Sequence, residues 1–438
     1  MVFPFFRLIA FAVLITLFTA PLPTLAAGLT LEQAQVMAMA HSRLIEAQDF
    51  ALTANRERVL AAGQLPDPVL KLGIDNLPVN GGERYSLNDD SMTMRRIGLM
   101  QELTGTDKRQ SRVALAERVA EQSQAEKMAR ITTVRRDTAL AWLDKYYAAR
   151  MLAIVAEQQA LSNDEILAAE SAYRSGRATQ ADIFAARSTL ALIEDRLSEL
   201  QLRSRNAGIV LSRWTGGTPE PTLADLPVID SVHLNADLES DSATATLETQ
   251  LTHHPQISLL NGQVAIAEAD AKLAAANKSA DWTIELAYQQ RGSGYGNMVT
   301  VGLTIPLQWD QQQRQNRELY AKLASVEQAK AERDEMLRQH VAEIKTLLAE
   351  WQNYRERIAR FEQQLAPLAR QRTLALTSAY RGGKATLADL LAARRSETDT
   401  QLQSLQLQAD SARLWAQLTF LTPTDSVAAR SVTRQELP

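Results

Sequence analysis

The hydrophobic and polar positions of this chain fall into two alternating registers. From Leu70 onward Leu70, Leu72 and Ile74 point one way and Lys71, Gly73 and Asp75 the other, the period of a half-buried strand. The same alternation recurs at Trp282, Ile284, Leu286 and Tyr288, and again at Val299, Val301, Leu303, Ile305 and Leu307. A fourth segment, Met92 to Leu103, alternates less cleanly because Arg95 and Arg96 interrupt it. Between these strands the pattern is helical. The stretch between Gly105 and Gly176 contains neither glycine nor proline. As one helix it would extend about 100 Å at 1.5 Å per residue. Ordinary globular helices run about three turns, so this is not an ordinary compact domain.

Two sixteen-residue stretches organise the rest. Residues 172–187 read AYRSGRATQADIFAAR and residues 379–394 read AYRGGKATLADLLAAR. Tyr173 and Tyr380, Gly176 and Gly383, Asp182 and Asp389, and Arg187 and Arg394 each lie 207 positions apart. In both, a glycine suited to the left-handed conformation ends one helix and a small polar residue starts the next. The chain is therefore an internal duplication whose repeats each turn at a helical hairpin tip.

The predicted layout follows. A first repeat, 27–215, holds a helix, strands 67–76 and 92–103, a long helix 106–174, the tip, and a return helix 177–215. A Gly-, Pro- and Ser-rich linker covers 216–242. The second repeat, 243–423, holds a helix, strands 281–290 and 298–307, a long helix 310–381 with a kink expected at Pro367, the tip, and a return helix 385–422. Residues 424–438 form a tail. Within 183–214 a heptad places Ile183, Leu190, Leu197, Ser204 and Leu211 in one row and Ala186, Ile193, Leu200, Ala207 and Trp214 in the other. Leu192, Leu202 and Ile209 lie off that seam, which predicts a helix touching more than one neighbour.

Composition narrows the function. The 438 residues are 45% hydrophobic and 22% charged, with a net charge of −4, too near balance to suggest a nucleic-acid partner. Cysteine is absent, which removes disulfides, thiolate metal sites and a cysteine-linked lipid anchor. Residues 1–26, with Arg7 before an apolar run from Leu8 to Phe18 and small residues at the end, read as a cleaved signal peptide. No nucleophile–base pair, phosphate loop or zinc motif is present, so no enzyme, cofactor or metal centre is expected. His253 and His254, before Pro255, read as a structural pair rather than ligands. Met92, Met94 and Met100, set in an apolar strand, read as lipid or barrel packing rather than a soft-metal site.

Four strands with one apolar face cannot close a barrel alone, and open edges are not tolerated in a bilayer. Three copies would supply twelve strands and close every edge. The paired tips, the VGLTIPL run and LPDPVLKLGIDNLPVNGG together resemble the TolC family of outer-membrane efflux ducts over essentially the whole mature length. The last of these is similar to the branch serving heavy-metal resistance–nodulation–division (RND) pumps, the CusC/CzcC-like group. The resemblance implies a mainly α chain with a transmembrane β-barrel part: a homotrimer with a 12-stranded barrel in outer-membrane lipid and an α-helical barrel in the periplasm. It further implies a periplasmic adaptor and an inner-membrane RND transporter as partners, with heavy-metal cations as cargo. The alternatives are a drug or organic-compound duct of the same family, and a periplasmic coiled-coil structural protein. Gly176, Arg177, Gly383 and Lys384 are the expected adaptor-docking positions. Tyr380, Asp389 and Asp182 are the candidates for a periplasmic constriction. At the second tip the sequence departs from the family pattern, with Ala392 where a second aspartate is expected and Ala385 where a basic residue is expected.

Overall fold

Thr30 opens the first helix with a reciprocal cap. Its hydroxyl accepts from the Gln33 amide at 3.1 Å, and its own amide donates to the Gln33 side chain at 3.1 Å. The resulting helix α1, Leu31–His41, stops at Ser42, where one continuous helix was expected. Ser42 is extended, and its hydroxyl accepts from the Ile45 amide, so this good N-cap residue restarts the chain as α2, Arg43–Ala62. The computed structural model describes residues 28–218, 220–229, 249, 251 and 254–421. The expected signal segment 1–26, much of the expected linker, His253 and the expected tail 424–438 lie outside the described residues.

The chain continues as β1 (Val69–Asp75), β2 (Met94–Leu103), α3 (Thr106–Arg174) and α4 (Gln180–Thr215). Beyond the linker come α5 (Pro255–Ala276), β3 (Trp282–Gln290), β4 (Met298–Thr304), α6 (Gln315–Arg360), a π-helical turn (Phe361–Leu365), α7 (Ala366–Arg381) and α8 (Leu387–Thr419). The strands are shorter at their ends than the alternation predicts; Pro306, which has no amide to donate, follows β4 closely. The helix expected over 310–381 starts only at Gln315, because Asp310 accepts from the Gln313 amide in a preceding turn. Near Pro367 the ladder widens instead of simply breaking. The Ala366 amide reaches back five residues to the Phe361 carbonyl, which spares the proline ring a clash within a tight turn.

The short helices lie along the long one in order. Gln35 donates to the Arg135 carbonyl at 3.0 Å and Asn55 to Ser123 at 2.6 Å, so α1 and α2 run antiparallel to the first part of α3. Lys145 meets Ser204 and Glu170 meets Arg187, so α4 covers the remainder. The second repeat copies this arrangement: Asp270 of α5 pairs with Lys322 of α6 at 2.9 Å, and Gln408 of α8 donates to Glu362 at 2.8 Å. The main core lies at mid-length, where both repeats contribute: Trp142, Val155, Ile193, Ile344, Trp351 and Trp415 belong to one cluster. Trp142 is fully buried and donates its ring N–H to the Leu29 carbonyl at 2.9 Å.

The heptad holds in part. Ala186, Ile193 and Leu200 are buried, but further along α4 Gly208 and Thr215 replace Ala207 and Trp214 at the seam. That drift is expected of a helix near 3.6 residues per turn read against a 3.5 repeat. Ser204, the polar residue in its row, is buried because it takes Lys145: the ammonium donates to its hydroxyl at 3.0 Å and its carbonyl at 3.1 Å. Leu192, Leu202 and Ile209 are exposed on the single chain.

The four strands form one antiparallel sheet in the order β1-β2-β3-β4. The register aligns Leu72, Ile97, Tyr288 and Val299 in one row and Leu70, Leu99, Leu286 and Val301 in the next. All eight side chains are exposed, so one face is an uncovered apolar surface. Met94 and Met100 fall on the opposite, polar face, across from Asp75 and Glu285 respectively, so neither joins the apolar face.

His254 caps α5, its Nδ1 accepting from the Gln256 amide at 3.3 Å, and its ring lies 4.9 Å from that of His340 on α6. Burial pushes its pKa down to about 4, helped by His340 and then Arg136. The unfolded chain binds this proton near the ordinary value of 6.5 while the folded chain resists it. Stability therefore falls as pH drops from 6.5 towards 4. The expected loss from this one group at pH 5 is about 2 kcal/mol. His254→Asn, which keeps a capping side chain, is expected to flatten the difference between thermal melts at pH 7.5 and pH 5.

Candidate functional site: the paired helical tips

Each tip is built from two local devices. At the first, Gly176 takes φ +69° and donates to the Tyr173 carbonyl at 2.9 Å, while the Arg177 amide reaches the Ala172 carbonyl at 2.9 Å. At the second, Gly383 takes φ +71° and donates to the Tyr380 carbonyl at 3.0 Å, while Lys384 reaches Ala379 at 2.8 Å. Both are Schellman closures, which satisfy the last carbonyls of the helix. A Cβ on either glycine would meet nothing within 4 Å, so the backbone conformation and not space requires glycine there. Gly176, Arg177, Gly383 and Lys384 are all exposed at the turns.

Three residues after each glycine a threonine starts the return helix, which places the starts of α4 and α8 later than the 177 and 385 expected. Thr179 accepts from the Asp182 amide at 3.3 Å, and its own amide donates to Asp182 Oδ2 at 2.8 Å. Thr386 and Asp389 repeat this at 3.2 Å and 3.2 Å. Both carboxyls sit below their usual pKa range. The Thr179 amide and then its hydroxyl hold Asp182; the Thr386 hydroxyl and then its amide hold Asp389. Each aspartate thus has a capping duty that accounts for its recurrence in both tips. One oxygen of each is committed to it.

The tips are not equivalent. Tyr173 is exposed, whereas Tyr380 packs against a small core of Ala169, Ala186, Leu387 and Leu391, which draws on both hairpins. The arginines differ as well. Arg187 pairs at 2.9 Å with Glu170, inside its own hairpin. Arg394, its duplicate, reaches across to Glu165 of the other hairpin at 2.8 Å. Glu165 is 8% exposed, and burial raises its pKa against the pull of Arg394. The pair lines a cavity of about 270 Å³ between the hairpins, bordered also by Ser162, Thr373, Thr398 and Gln401. Further up, Arg196 of α4 meets Asp399 of α8 at 2.6 Å. Sequence reasoning did not find this cross-hairpin series; the only local signal was an arginine repeated at each tip.

No known family model matches the sequence, and no curated protein is detectably similar to it. Solved structures are similar in fold. The outer-membrane channel OprN superposes with a TM-score of 0.74 at 17% identity, covering 90% of each chain. The outer membrane protein VceC from Vibrio cholerae gives 0.71 at 20% identity, over 89% of this chain and 95% of that one. CusC, a protein that forms a transmembrane channel, gives 0.74 at 14% identity over 90% and 92%. The chain therefore has the fold of these outer-membrane channels.

Removing Arg394 would leave a buried carboxylate without its counter-charge. Arg394→Ala is expected to destabilise the tip by about 2 kcal/mol, and Arg394→Ala with Glu165→Gln to recover most of that. Hydrogen exchange of the α8 amides near the tip measures both.

Proposed function

We propose that this chain is the outer-membrane duct of a tripartite efflux system, a homotrimer that conducts cargo passively from a periplasmic adaptor and an inner-membrane RND transporter to the exterior. The observation that carries this reading is the sheet. One face is uncovered and apolar, and the outer edges of β1 and β4 have no partner strand among the described residues. A soluble protein does not leave such a surface in water, and a bilayer does not accept its open edges. Three sheets joined edge to edge as a twelve-stranded barrel resolve both problems, with the apolar face against lipid. The long helix α3 then carries the tips about 100 Å from the membrane, into the periplasm. Likeness in fold to outer-membrane channels supports the same assignment.

At the far end, Gly176, Arg177, Gly383 and Lys384 form the surface we assign to the adaptor, six turns in a trimer. Tyr380, Asp389 and Asp182 are assigned to the constriction beside it, where a single aspartate per second tip, with Ala392 one turn on, makes a weaker acidic ring than two would. Heavy-metal cations are the cargo we favour, on the strand segment LPDPVLKLGIDNLPVNGG; organic compounds are the second reading.

Fractionation tests the assignment. The mature chain is expected in the outer membrane as a trimer in mild detergent, and recovery as a soluble periplasmic protein would sink the duct. Site-specific cross-linking tests the tips: Gly383→Trp is expected to abolish the cross-link to the co-encoded adaptor while leaving the trimer in the membrane.

A further inference from the structure

The polar face of the sheet carries a charge cluster with an unusual reach. Lys71 of β1 pairs at 2.9 Å with Glu285 of β3, passing over the strand between them. On the strand between, Gly98 lies opposite Lys71 and Met100 opposite Glu285, so the pair runs diagonally between them. Adjacent strands stand about 4.8 Å apart, so the pair bridges nearly 10 Å. A Cβ on Gly98 would come within 3.0 Å of the Ala287 Cβ. Arg96 of β2 pairs with the same Glu285 and lies 3.7 Å from Asp75. Gly73 and Gly302 occupy the neighbouring positions opposite Arg96 and Glu285. One carboxylate is thus shared by two cations.

This surface is opposite the apolar face, so wherever the apolar face meets lipid the cluster faces the interior. We infer that Lys71, Arg96 and Glu285 set the ion selectivity of the pore, three copies forming one belt of mixed charge around the barrel lumen. The inference rests on the duct reading. Its physics is that of charged rings lining a channel: a permeating ion senses the uncompensated charge of the belt. Glu285 is the balancing member, since its removal leaves Lys71 and Arg96 with Asp75 alone as counter-charge, a net of one positive charge per chain.

The test is the reversal potential of the purified full-length protein in a planar bilayer under a potassium chloride gradient. Glu285→Gln is expected to shift permeability towards chloride severalfold, and Lys71→Gln towards potassium. Both shifts should shrink at about 1 M salt, where screening falls to about 3 Å. Thr300→Glu provides a variant that leaves the cluster intact. Position 300 lies opposite Ala287 on the same face, and an added carboxylate there should favour potassium even if Glu285→Gln does not assemble. Conducting channels whose reversal potential ignores both the Lys71 and Thr300 substitutions would overturn the inference alone. A wild-type protein that forms no conducting channel would overturn the duct reading and this inference with it.

Discussion

A helix of 69 residues is the constraint on which everything else depends. Such a helix has no interior of its own; its sequence, rich in Ala, Glu, Gln and Arg, favours the helical state, but most of its stability comes from lateral packing. Every other helix of the first repeat answers that need. α1 and α2 cover its first part and α4 its second, held in register by contacts such as Gln35 to Arg135 and Lys145 to Ser204. The mid-length core, with Trp142 at its centre, is where these partial coverings meet the second repeat. An elongated body follows directly, with the sheet at one end and the turns at the other.

Duplication supplied two such bodies, and their divergence is informative. The local rules of the tip were retained: glycine at a positive φ, threonine as cap, aspartate three residues on. What changed is the next shell. Tyr380 turns into the shared core where Tyr173 stays outside, and Arg394 reaches the other hairpin where Arg187 stays within its own. A pair formed within one hairpin adds little to how the hairpins sit against one another. A pair formed across them couples their positions, because sliding one hairpin along the other breaks the contact between Arg394 and Glu165. The second tip is thus the one joined to its neighbour.

Legibility in the sequence tracks how local the cause is. The tips could be read because a C-terminal glycine closure and a capping box are each decided within six residues. The strands could be read because alternation is a property of one segment, although Met94 and Met100 show that a methionine in a strand does not reveal its face until the register is known. The break at Ser42 was hidden inside a helical pattern that serine does not by itself interrupt. Pro367 announced a disturbance but not its form, since a π turn and a kink answer the same steric problem. Glu165 with Arg394 could not be read at all: the pair is set by how two hairpins pack, and nothing within either segment specifies it.

The glycines of the sheet show the same limit from the other side. In the sequence Gly73, Gly98 and Gly302 look like weak points, since glycine in a strand loses entropy and packs nothing. In the register Gly98 lies opposite Lys71, Gly73 opposite Arg96 and Gly302 opposite Glu285, so the charge network that spans three strands has glycines as its cross-strand neighbours. The side chains of the apolar face are exposed on the single chain. The two faces of one sheet therefore differ in polarity, and all three strand glycines fall on the polar one.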